Sequence, residues 1–202
     1  MKLLLLRCPQ CQSPLQPEQA DVVVGCPHCF SAVAIDEGGL QLVEARYAAS
    51  QFDDQYDADG AKARWVPFWV FNGRVHISQR DAQGGSGAAQ RDAEKFWDAS
   101  RHLYVPAWEL DMPAAREIGQ KFTEDQTYLR AVPQPTGAHL ISAIVTPDDA
   151  LKLMEFIVLS IEAQRKDWLK NLKFHISANV PELWVLPARM QGSRWLFYLA
   201  KK

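Results

Sequence analysis

All four cysteines of this 202-residue chain lie between Cys8 and Cys29, as C-P-Q-C, fourteen residues, then C-P-H-C. No other feature constrains the chain as tightly. Each C-x-x-C turn presents two thiolates to one point, and the intervening stretch is long enough for a hairpin that brings the two turns face to face. Four thiolates then enclose one tetrahedral Zn²⁺ at about 2.3 Å, leaving no position open for water or substrate. Cys8, Cys11, Cys26 and Cys29 are the expected ligands of one structural zinc, although four thiolates accept iron as well. Pro9 and Pro27 stiffen the turns. Glycine commonly follows the second cysteine of such a turn, where φ is positive; Gln12 and Phe30 stand there instead. His28 reads as a solvated loop residue, since four thiolates already complete the shell.

The hydrophobic share of 48% suits a globular protein rather than a disordered one. A formal net charge of −2 lacks the basic surplus of a general nucleic-acid binder. The charge is uneven, however. Residues 1–45 carry Lys2 and Arg7 against five acids, whereas residues 165–202 carry eight basic side chains against Asp167 and Glu182. The opening M-K-L-L-L-L-R-C is similar to a lipoprotein signal, but its apolar run falls short of the roughly 7–15 residues required, and Arg7 sits where a small residue belongs. It is expected to lead into the ribbon as a strand. No apolar run approaches the ~20 residues of a membrane span. A cytoplasmic location is expected, where thiols stay reduced and bind metal.

The remainder predicts an α+β chain: an N-terminal four-cysteine zinc ribbon (1–45), a linker (46–63), and an antiparallel-sheet domain (64–202) with Trp-rich strands and one long helix in its C-terminal half. The acidic run 52–60 lacks the glycine and glutamate of a calcium loop and reads as solvated linker. Arg64–Phe71 is apolar on both faces, as a buried strand should be. Asn72-Gly73 predicts a hairpin turn, with Val75 and Ile77 alternating against Arg74, His76 and Ser78 on the return. Pro67 marks an edge or a bulge. The Gly-rich loop at 82–90 fits neither a nucleophile elbow nor a phosphate loop. A short helix at about 91–101, a strand from Leu103 and a helix from Pro113 follow, and 139–145 reads as a strand. Thr146-Pro147-Asp148-Asp149 starts the best helix, expected to run to about Asn171. A final hairpin turns at Gln191-Gly192-Ser193.

The C-P-x-C turns, the W-V-P-F-W strand at 65–69 and the segment from Asp148 to Glu162 resemble the bacterial zinc-ribbon proteins of the transcription-factor-B type. That resemblance implies a structural zinc, no catalytic activity and a protein partner, a membrane-associated scaffold among the candidates. The residues themselves point the same way: paired carboxylates stand only in linker or cap positions, no nucleophile–base set stands out, and a non-catalytic protein–protein adaptor is the expected function. The alternative is nucleic-acid binding through the basic C-terminal region, with Trp184 and Trp195 interleaved; the acidic ribbon argues against DNA contact there. Whether the seven tryptophans form core or binding surface stays open at this level.

Overall fold

A computed structural model describes residues 6–51, 63–84 and 87–200. In chain order it contains β1 (Val23–Gly25), β2 (Ala32–Asp36), β3 (Gly39–Val43), β4 (Ala45–Ala48) and β5 (Arg64–Gln83). Then come α1 (Ala88–Asp98), β6 (Arg101–Pro106), α2 (Met112–Asp125), β7 (Ala131–Val132) and α3 (Pro147–Ala163). The chain closes with β8 (Trp168–Ala178), β9 (Glu182–Gln191) and β10 (Arg194–Phe197). The fold is α+β, as its sequence predicts.

β1, β2 and β3 form a small antiparallel sheet beside the cysteines. Its tight turn follows from Asp36, whose Oδ1 accepts a hydrogen bond from the Gly38 amide at 2.7 Å, and from Gly39 at φ 113°. The second sheet has the order β6-β5-β9-β4-β7, with β8 added to β5 and β10 to β9. Every pairing of its strands is antiparallel except β4 with β9. Of the stretch expected to be a linker, residues 46–48 belong to β4 in this sheet, and the acidic run falls outside the described residues.

β5 organises the large sheet. From Trp65 to Phe71 it is apolar at every position because both faces are covered. Trp65, Trp69 and Phe71 join the core beneath α3 and Trp97 of α1, while Val66, Phe68 and Val70 join a second core with Phe122 of α2, Trp184 and Leu186. Its second half alternates, with Val75 buried and Arg74 and His76 exposed.

The turn expected at Asn72-Gly73 does not form; β5 runs straight through it. The glycine serves a different need. A Cβ on Gly73 would lie 2.6 Å from the Ser177 carbonyl oxygen and 2.7 Å from Ala178 Cβ, so only glycine lets β8 approach there. Pro67 likewise sits in a central strand. Its carbonyl accepts from the Ala107 amide at 3.0 Å, on the side where the β6 ladder starts only at Phe68, so the missing N–H breaks no ladder bond.

α3 begins as expected, with the Thr146 hydroxyl accepting from the Asp149 amide at 3.1 Å. It ends at Ala163, eight residues before the expected stop at Asn171. Beyond Arg165 the apolar period falls to two, at Leu172, Phe174 and Ile176, and that pattern makes a strand. The strand expected at 139–145 is a connector with single bridges, Leu140 to Trp65 and Ala143 to Val23. Ala143 donates to Val23 and accepts from Val22, and Ile144 donates to Ala107. The connector thereby stitches the small sheet to the large one, and Val23 and Ala32 share the core of Trp65, Leu140 and Met154.

Five tryptophans (65, 69, 97, 108 and 184) are buried core. Trp195 is half-buried against Trp108. Trp168 is the exception, 77% exposed.

Candidate metal centre

The two C-x-x-C turns are copies of each other. The Cys8 amide donates to the Ser13 carbonyl and the Gln12 amide to the Cys8 carbonyl, both at 2.9 Å; Cys26 with Ser31 and Phe30 with Cys26 repeat this at 2.9 and 3.0 Å. Closing such a turn requires positive φ after the second cysteine, and Gln12 and Phe30 both stand at 62°. A side chain in that conformation costs roughly 1–2 kcal/mol. Contacts offset the cost at Phe30, whose ring meets His139 edge-on at 4.7 Å and whose carbonyl accepts from Gln134 Nε2. Gln12 is exposed, and its side chain makes only a long 3.5 Å bond to the Pro9 carbonyl.

The folded turns bring the four sulfurs together, all within 4.8 Å of one another. Cys8 to Cys29 and Cys11 to Cys26 are each 3.6 Å apart. A disulfide would need about 2.05 Å, and all four cysteines are free. A tetrahedron with arms of about 2.3 Å has edges of about 3.8 Å, so the cluster has the dimensions of a four-thiolate metal site. Cys8 and Cys26 are buried among Leu15, Val24 and Val33, and Cys11 and Cys29 are half-exposed.

The surroundings treat the four thiols differently. Burial pushes Cys8 up to about 11. Ser13, through its hydroxyl and its amide, brings Cys11 down to about 6. At Cys29 burial works upward, but the Ser31 hydroxyl, 3.3 Å from the sulfur, and the Ser31 amide prevail and lower it. The surroundings thus favour ionisation at Cys11 and Cys29 and oppose it at buried Cys8. The arrangement can hold one metal ion through the four expected ligands, with all four tetrahedral positions taken.

A second polar centre was not visible in the sequence. Glu162, fully buried on α3, accepts from Arg80 Nε at 2.8 Å, Arg165 Nε at 2.7 Å and the Trp97 indole at 2.7 Å. Arg80 also grips Asp167 with both terminal nitrogens, at 2.6 and 2.8 Å. Side chains of Arg80 and Asp167 are 1% and 6% exposed. The Asp167 contact holds the Arg80 guanidinium charged, and Arg80 in turn holds the Asp167 carboxyl below its usual range. The cluster ties β5, α1, α3 and the start of β8 together. Its one sequence signal is an acid on the buried stripe of α3, beside Val158 and Ile161.

The histidines do not converge. All five are exposed. His76 and His175 stand opposite each other across β5 and β8, but the cleft of about 360 Å³ beside His76 is lined by Glu94, Trp97 and Asp98 and holds no second histidine. The basic, aromatic C-terminal region is also divided. Arg165 is committed to Glu162, Trp184 is buried with its indole on Glu182, and Trp195 lies under Arg64 at 5.6 Å. No described helix is long and apolar enough to cross a membrane. No protein-family model, curated protein or solved structure gives a significant match to the chain.

Proposed function

We propose that this chain is a non-catalytic adaptor: a zinc ribbon of the transcription-factor-B type fused to a Trp-rich sheet, stabilised by one structural Zn²⁺ and docking another protein in the cytoplasm. The observation that carries this reading is the cysteine cluster. Four sulfurs at tetrahedral spacing occupy every position on a zinc ion, so a metal held there serves the fold rather than a substrate. When bound, the ion neutralises the clustered thiolate charge. Cys8 and Cys26 would hold it from the buried side, and Cys11 and Cys29 from the solvent side. The ribbon it fastens contributes Val23 and Ala32 to the main core, so metal binding supports the surface of the whole molecule.

The other polar centre supports the same reading. Glu162 and Asp167 are committed to Arg80 and Arg165, which leaves neither carboxylate free for acid–base work. Nucleic-acid binding through the C-terminal region has less support, because Arg165, Trp184 and Trp195 are held by neighbours in the fold.

The test is capture from the native cell with the wild-type chain and with Cys26→Ser, each with and without nuclease. A stoichiometric protein partner that survives nuclease and is lost with Cys26→Ser is expected. Retention of nucleic acid alone, weakening steeply with salt, would overturn the adaptor reading.

A further inference from the structure

β8 pairs with β5 on one side, and among the described residues nothing pairs with its other side. An open strand edge presents a row of backbone donors and acceptors, and proteins usually blunt it with proline, a bulge or a covering element. Here the protection stops partway. Asp81 faces Asn171 and Ala82 faces Leu169, so Lys170 is an extra, bulged residue. From Asn171 to Ala178 the edge contains no proline and its pairing register skips no β8 residue. Those eight residues span about 27 Å. Phe174 and Ile176 pack on the main core yet remain half-exposed, as expected where a sheet lacks its next strand. Trp168 and Val180, 77% and 88% exposed, flank the edge at its two ends.

The charge along this edge has one sign. Lys173 is exposed on it, Lys170 at the bulge and Lys166 just before β8 are exposed next to it, and Arg74 lies on the neighbouring strand. Asp81 accepts hydrogen bonds from Gln79 and Asn171, and the exposed acids Glu94 and Asp98 line the cleft beside His76. The same lysines that oppose pairing with a second copy of β8 favour an acidic strand.

We infer that the Asn171–Ala178 edge is the docking site of the adaptor, and that its partner is an acidic, extended peptide segment that adds to the sheet as a strand antiparallel or parallel to β8. Main-chain hydrogen bonds supply the affinity. Carboxylates on alternate partner residues face Lys173 and its neighbours, and the intervening apolar residues cover Phe174 and Ile176. Trp168 packs against the end of the added strand. This inference rests on the adaptor reading and specifies its surface.

The experiment uses the full-length, metal-loaded protein and an octapeptide in which glutamate and valine alternate. Fluorescence anisotropy reads binding, and amide hydrogen exchange reads where it occurs. The expected result is saturable binding with new protection confined to 171–178. It should weaken at least tenfold in Lys173→Glu, and likewise when alternate peptide amides are N-methylated. A block peptide of the same composition, with all its glutamates preceding all its valines, should bind at least tenfold more weakly. Binding of the alternating peptide that leaves 171–178 unprotected, or no binding at millimolar peptide, overturns the proposal. So does a single-stranded oligonucleotide that binds tighter at this edge than the peptide, or a concentration-dependent dimer that protects 171–178. Lys173 is exposed, so its variant should keep the wild-type fold, and its circular dichroism checks this. Cellular capture of a protein partner unaffected by Lys173→Glu would remove the edge and leave the adaptor reading standing.

Discussion

The protein contains two buried polar centres, and they are built by opposite strategies. The cysteine cluster draws its four groups from 22 consecutive residues, Cys8 to Cys29, in two repeated turns. The Glu162 cluster draws on Arg80, Trp97, Glu162, Arg165 and Asp167, with Arg80 and Asp167 87 positions apart in the chain. Local turns bring the thiols together, and a metal ion bound there would offset their mutual repulsion. The second centre carries its own counter-charges and joins residues of β5, α1 and α3 that are far apart in the chain. The first can hold a small sheet that has little core of its own. The second locks a large core that already exists. In both, the cost of failure lies in leaving charge buried without its partner.

Breaking the first centre should have the largest effect. Structural zinc sites contribute on the order of 10 kcal/mol to the folding of small modules. Strong chelation, or Cys26→Ser, should therefore abolish amide protection across 6–43. The shared contacts of Val23 and Ala32 should also lower the melting temperature of the large sheet; an unchanged sheet transition would show the two regions to be energetically separate.

Breaking the second centre comes next. Arg80→Met leaves Glu162 and Asp167 buried with fewer counter-charges and should cost about 3–5 kcal/mol in urea unfolding. Adding Glu162→Leu and Asp167→Asn should recover at least half of that loss. A triple variant no better than the single would mean that Arg80 acts by packing.

A purely steric break is expected to be smaller. Gly73→Val pushes β8 away from β5 and should cost up to about 3 kcal/mol without altering metal content.

The two centres should also differ in acid. The folded-state pKa of Asp167 is depressed, so its stabilising contribution is complete above the unfolded value near 4 and is lost as pH falls through the lower folded value. Arg80→Met should flatten this acid limb of the stability curve; an unchanged limb would remove Asp167 as its source.

The smallest effect is a gain. Gln12→Gly relieves the positive φ in the first turn at an exposed site and should stabilise the metal-loaded protein by at most about 1 kcal/mol.

The same contrast explains what could be read before the structure was known. The clustering of the four cysteines was legible because their spacing is local, and the caps of α3 were legible because Thr146 and Pro147 act within one turn. The strand at 64–71 was recognisable from apolar residues on both faces. Asn72-Gly73 misled because glycine meets two different needs: positive φ in a turn, or room for a crossing strand, and only the partner strand decides which. The overrun of α3 has a similar origin, since Lys166 and Lys170 suit a helix end as well as a strand edge. The Glu162 cluster escaped because its members share no sequence neighbourhood and meet only through tertiary contacts. For the tryptophans, composition could not distinguish core from surface, whereas burial separates Trp168 from the other six.

X-ray absorption at the metal edge of the purified full-length protein, together with metal analysis, tests the four-thiolate centre most directly. One zinc per chain with four sulfur neighbours at about 2.3 Å is predicted. An iron edge, oxygen or nitrogen in the first coordination shell, or a metal-free folded protein with paired disulfides would contradict it.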